Sequence, residues 1–174
     1  MPRLLNSIAA KCSAPAIAAS AAFAILTGSA EGQPLTIQTI SAGQALKVAN
    51  AAIAACSEPG SLITISIAVV DQAGNPRLML NADTASPHNL DLARRKAYTA
   101  RTFRRPSIEW AKDTAGNPQN EGQRQMVDVI PLGGGVPIMA KGQVIGGVGI
   151  SGAKGGQPAE NDCAAKAAQS IANE

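Results

Sequence analysis

Few residues in this chain could do chemistry, and most of them cluster in one stretch, "LDLARRKAYTARTFRR". At about 100° per residue of a helix, Leu92, Lys96, Thr99 and Phe103 form one stripe with Ala93 and Ala100 beside it. A lysine and a hydroxyl therefore stand on a face otherwise fit for a core. Two readings are open. Lys96 snorkels past a sheet edge while Thr99 bonds back to its own helix; or Lys96 meets a ligand carboxylate and Thr99 faces the ligand's centre. Arg94, Arg101 and Arg105 fall on the opposite side, and with Arg95 and Arg104 they make a basic group with no acid among it. Such a group is a solvated face or a subunit contact, or it clamps a carboxylate-bearing ligand, because arginine forks match carboxylates two-pronged.

His88 is the single histidine and stands where the same helix should begin. Imidazole is a common metal ligand, yet a lone histidine in a first helical turn is ordinarily a surface residue. Asp83 with His88 would make only a loose metal site. Tyr98 points to the arginine side, and Met79 and Met139 serve as core packing or as soft ligands. Asp71 falls at a turn, where aspartate serves geometry. Enzymatic constellations are thin: G-x-S-x-G, C-x-x-C and H-E-x-x-H are all missing from the sequence. Catalysis is not the expectation.

One run looks like cofactor chemistry. Gly147, Gly149 and Gly152 spell G-x-G-x-x-G. A dinucleotide fingerprint needs its glycines to turn a strand directly into a helix whose N-terminus holds the pyrophosphate. Here they fall within or at the end of the second arm of a hairpin, and the next helix starts only at Pro158. The motif fails on context. With Gly133, Gly134, Gly135 and Gly146 also nearby, the glycines read as a tightly packed, bulged hairpin under a helix or against a neighbouring subunit, or as the floor for a flat ligand.

The elements that must position these residues follow from pattern. "SAGQALKVANAAIAAC" opens with Ser41 and Gln44 at capping-box spacing, and Ala42, Leu46, Ala49, Ile53 and Cys56 recur at helical intervals. Ile63, Ile65, Ile67 and Val69 alternate along a strand, "DQAGNP" turns, and residues 62–81 read as a hairpin. A helix starts at Ser86-Pro87 and ends before Pro106; a short one starts at Ser107 and closes at Gly116. Residues 117–126 read as an exposed loop, and "VDVIPL" as a short strand. A second hairpin turns about Lys141-Gly142, and a last helix from Pro158 carries Cys163, Ala167 and Ile171 on one face. The order is that of an α+β antiparallel sheet rather than a doubly wound one.

The 174 residues, 45% apolar and only 2% aromatic, suffice for one domain with an aliphatic core. The first thirty residues fall outside it. Arg3 and Lys11, the run "APAIAASAAFAILTG" and the small residues Gly28 and Ala30 have the pattern of a cleavable signal peptide. The mature chain is expected from about Glu31, as a single domain over 31–174 exported to a periplasm or the medium. That run is too short for a membrane span. Of 15 basic side chains two leave with the leader, so 13 then face 12 acidic ones. Near-neutral charge and export both disfavour a nucleic-acid partner. Cys56 and Cys163 remain, either as one disulfide or as two buried thiols.

Three segments, "ISIAVVDQAGNPRLMLNADTASP", "ARRKAYTARTFRRPS" and "IPLGGGVPIMAKGQVIGGVGISGA", resemble in order the signatures of the GlcG/HbpS-like family, also called haem-degrading-domain-like or DUF336. The resemblance covers most of residues 35–172. It implies a five-stranded antiparallel sheet flanked by helices, assembled into homo-oligomers. Secreted members similar to this chain bind haem, and some relay redox stress to a sensor protein; cytosolic relatives accompany glycolate or diol metabolism. The resemblance further implies that Thr99, in "KAYTA", faces haem. The cofactor-binding candidates are accordingly Thr99, Lys96, His88, Arg101 and Arg105, with His88 as the metal candidate. The functional expectation is a secreted haem- or tetrapyrrole-binding protein for sensing, storage or scavenging. The alternative is an accessory factor or small enzyme of organic-acid (glycolate-type) metabolism that binds a carboxylate ligand.

Overall fold

A computed structural model describes residues 35–57 and 62–173. The leader expected over residues 1–30 lies outside them. Helix α1, Ala42–Cys56, starts with the expected capping box: the Ser41 hydroxyl accepts from Gln44 N at 3.2 Å, and Gln44 Oε1 accepts from Ser41 N at 3.0 Å. Strands β1, Ser66–Asp71, and β2, Pro76–Asn81, form the first hairpin. The Asp71 carboxylate ties the turn by accepting from Ala73 N and Asn75 N, both at 2.9 Å. Helix α2, Asn89–Phe103, ends at Arg104, whose φ of 55° turns the chain aside before Pro106. Helix α3, Ser107–Thr114, follows, and a short 3-10 helix, Glu121–Gln125, lies in the polar loop. Strands β3, Gly135–Ala140, and β4, Gln143–Ser151, turn about Lys141 and Gly142, whose φ angles of 48° and 76° suit a tight hairpin. Helix α4, Gly156–Gln169, starts two residues before Pro158. Among the described residues, no helix is long and apolar enough to cross a membrane.

The strands run β2-β1-β4-β3, antiparallel throughout. Among the described residues the sheet has four strands, not the five expected. The segment "VDVIPL" forms no ladder because α2 takes its backbone groups. Ile130 N donates to Thr99 Oγ1 at 2.9 Å, Val129 O accepts from Arg95 at 2.7 Å, and Pro131 has no amide hydrogen to give.

Helices α1 and α4 cover one face, where Val48, Ala49 and Ala52 meet Ile67, Val69, Val148, Ile150, Ala164 and Ile171. Helix α2 covers the other face. Both faces of β1 are consequently buried, Ser66, Ala68 and Val70 included, so the alternation in its sequence marks only one of two buried sides.

The glycines answer to α2. A carbon added at Gly147 would lie 2.5 Å from Ala97 O, and one at Gly149 would strike Ala93 O and Ala97 N. Small residues on both partners let the helix lie directly on the backbone of β4. The first two glycines of the G-x-G-x-x-G spelling are thus a packing surface on a strand antiparallel to both neighbours, and Gly152 follows the strand's end against Asn89.

Cys56 and Cys163 are disulfide-bonded, with Cα atoms 5.5 Å apart and a sequence separation of 107. The bond joins the end of α1 to α4. In the chain-entropy account, closing a loop of that length contributes about 4–5 kcal/mol.

Candidate functional site

The cations of α2 divide by what they meet. Lys96 is 2% exposed, and its Nζ donates to Glu160 Oε2 on α4 at 2.7 Å and to Ile150 O on β4 at 3.1 Å. The other carboxylate oxygen of Glu160 accepts from Gly152 N at 2.7 Å. Burial pulls the Lys96 ammonium below its usual value, and Glu160 opposes that pull. The pair is an internal tie between three elements. Thr99 is equally internal: it accepts from Ile130 N and donates to Arg95 O at 2.8 Å. Lys96 and Thr99 thus hold this chain's own groups, the arrangement that snorkelling and back-bonding only partly foresaw.

Glu160 was not among the expected site residues. Its signal was present: Glu160, Cys163, Ala164, Ala167 and Ile171 recur at helical spacing, which places an acid on the buried face of α4. A buried acid and a buried lysine each call for a partner.

Two arginines of the basic group find acids that lie outside it. Arg94 pairs with Asp91 at 3.0 Å and Asp128 at 2.8 Å, and Arg105 pairs with Asp113. Arg95 is held on Val129 O. Arg101 and Arg104 are different: among the described residues neither has an ion pair, and the buried Nε of Arg101 has no hydrogen-bond partner. Nor does Arg101 lie opposite the sheet-facing side, as the stripe suggested. It continues the row Ala93, Ala97, Arg101 over β4, with its Cβ 3.0 Å from where a side chain on Gly147 would begin. The row at intervals of four centres the buried face between Ala93 and Ala100, and Leu92 is only half-buried.

These two guanidiniums border a cleft of about 340 Å³ at the C-terminal end of α2, lined also by Gln72, Met139, Gln143 and Val144. It combines two unpaired positive charges, two amides able to donate, and a thioether. Such a lining receives carboxylates and orients them.

His88 stands at the other end of the helix, exposed, with no side-chain cap bond. Thirteen positions at the helical rise put it about 20 Å from Arg101. No cluster of three or more His, Cys, Asp or Glu side chains that could hold a metal occurs among the described residues. The structure therefore gathers Arg101 with Arg104 and sets Lys96, Thr99, Arg105 and His88 elsewhere. Tyr98 packs its ring over the turn at Gly74.

Comparison with known proteins agrees with this architecture. The family model described as "Haem degrading protein HbpS-like" matches residues 40–169. Protein GlcG of Escherichia coli (strain K12) is 34% identical over 112 residues, spanning 60% of this chain and 78% of its own. The crystal structure of HbpS superposes with a TM-score of 0.73 at 30% identity, covering 81% of this chain and 96% of that one. The crystal structure of the PduOC:haem complex superposes with a TM-score of 0.64 at 25% identity, covering 76% of this chain and 95% of that one. With a matching model over most of its length and a shared fold, the chain belongs to the HbpS-like family.

Proposed function

We propose that this protein binds haem or a similar tetrapyrrole, with the ligand's propionates held by Arg101 and Arg104. The observation that carries the reading is the pair of guanidiniums left without an acid around a cleft, when Arg94 and Arg105 on the same basic segment are neutralised. The donor set fits the carboxylate edge of such a ligand: two charged forks, with the Gln72 and Gln143 amides beside them. The family's description and a relative solved with haem support the same class of ligand. When bound, haem supplies an iron centre able to exchange electrons and small ligands. The chain's own part is to neutralise the propionates and fix the ligand's orientation.

Action outside the cytoplasm, in sensing, storage or scavenging, belongs to this proposal, as does assembly into homo-oligomers. The composition of residues 1–30 and the Cys56–Cys163 disulfide support export. Titrating the purified protein with haemin and following the Soret band tests ligand binding. Saturable binding is expected, weakened at least about tenfold in Arg101→Gln/Arg104→Gln through loss of charge-assisted contacts. Unchanged affinity in that double variant removes the propionate assignment. A second reading rests on the polar lining of the cleft, which would equally hold a compact organic acid. Displacement of haem by glycolate or a short dicarboxylate, but not by their neutral amides, would favour it.

A further inference from the structure

The ladder between β1 and β4 stops at Asp71 opposite Gly146, and the basic cleft draws lining residues from both chains just beyond that point. The next backbone groups, Gln72 N and Ile145 O, lie outside the ladder. Strand β3 passes Ile145 over as well, because its register slips there from Gly146 to Val144. Both groups are taken by the segment that leads into α1. Thr39 Oγ1 accepts from Gln72 N at 3.1 Å, and Ile40 N donates to Ile145 O at 3.0 Å. Ile40 is fully buried, with its Cγ2 3.2 Å from where a side chain on Gly146 would begin. Thr39 and Ile40 thus form an anchored strap between the two hairpins. It ties the turn that supplies Gln72 to the strand that supplies Gln143 and Val144.

The turn that carries Gln72 closes without the strap. Asp71 N donates to Asn75 O at 2.8 Å and Gly74 N to Asp71 O at 3.0 Å. The Asp71 carboxylate, besides holding Ala73 N and Asn75 N, pairs with Arg77 at 3.2 Å. Thr39 reaches across 33 positions to Gln72, the residue after Asp71 whose side chain lines the cleft.

We infer that Gln72 is the ligand-orienting amide of this cleft and that Thr39 is a positioning residue acting through it. The inference rests on the haem reading above and adds direction to it. Two guanidiniums attract a carboxylate strongly, whereas an uncharged amide contributes through where its N–H groups point. An amide nitrogen held at one place on the wall donates to a propionate oxygen in one orientation of the ligand. The strap fixes where that side chain starts, because the group Thr39 holds is the backbone of Gln72 itself.

The test is a double-mutant cycle on the folded protein, with haemin as the probe and the Soret band as the readout. Gln72→Ala should weaken binding about tenfold and Thr39→Val about threefold, the range expected for a hydrogen bond to a charged group and for a neutral one. Thr39→Ser restores the hydroxyl and should restore the affinity. In the Gln72→Ala background, Thr39→Val should weaken binding no further, because the side chain it positions is gone. If wild type binds saturably but Gln72→Ala leaves affinity intact, the inference is wrong and the haem reading stands. Equal weakening by Thr39→Val with and without Gln72, or no recovery in Thr39→Ser, also overturns it, by making the strap a general brace of the fold. Absence of saturable binding in wild type removes both.

Discussion

Lys96 and Arg101 lie on one helix, five residues apart, and are treated in opposite ways. Lys96 is sealed inside, with Glu160, Ile150 O and Gly152 N completing a closed set of bonds. Arg101, at the helix's end, faces a cleft beside Arg104 with no acid supplied. Had the fold wanted only charge balance, an acid at Gln72 or Gln143 would have provided it. The contrast teaches that a cation within a fold points to function when its partner is missing, and to architecture when its partner is buried with it.

The largest expected effect comes from breaking the closed set. Glu160→Ala leaves a charged lysine buried alone and should cost about 3–5 kcal/mol in urea unfolding, whereas Lys96→Met with Glu160→Leu should recover most of that loss. A double variant as unstable as the single one would mean that the pair itself supplies net stability. Next, Thr99→Val orphans the Ile130 amide at a cost of about 1–3 kcal/mol, read as faster hydrogen exchange at Ile130 and its neighbours.

A smaller signature is in pH. Burial makes folded Lys96 give up its proton below the ordinary lysine value of 10.5, so in the window just below that value the unfolded chain holds more protons and this group's contribution rises with pH. The stability of wild type relative to Lys96→Met should therefore increase on approaching that value from below; a flat difference would show that Glu160 fully offsets the burial. Smallest of all, Arg101→Gln/Arg104→Gln should shift stability by no more than about 0.5 kcal/mol, its effect being confined to the haemin titration. A large loss of stability there would turn the cleft into an architectural feature and erase the comparison.

Much of this was legible in the sequence, and the unread parts have physical reasons. Capping at Ser41 and Gln44 and the turn at Lys141-Gly142 are local devices whose chemistry lies within a few residues, so pattern suffices. The expected fifth strand was lost to a non-local competitor, because Thr99 and Arg95 lie some thirty positions away from the amide and carbonyl they capture. In the same way, periodicity can place Lys96 and Glu160 each on a buried face but cannot pair them across 64 positions. Which arginines remain unpaired depends on Asp113 and Asp128, acids in other elements. The cleft became visible only once those were in place.

The bond between Cys56 and Cys163 makes the intervening chain a covalent ring. A protease nicking the polar 117–126 stretch would therefore release nothing: both pieces would migrate as one molecule and part only when a reductant is added. Wherever a protease reaches it, that ring converts a severed backbone from destruction into a scar.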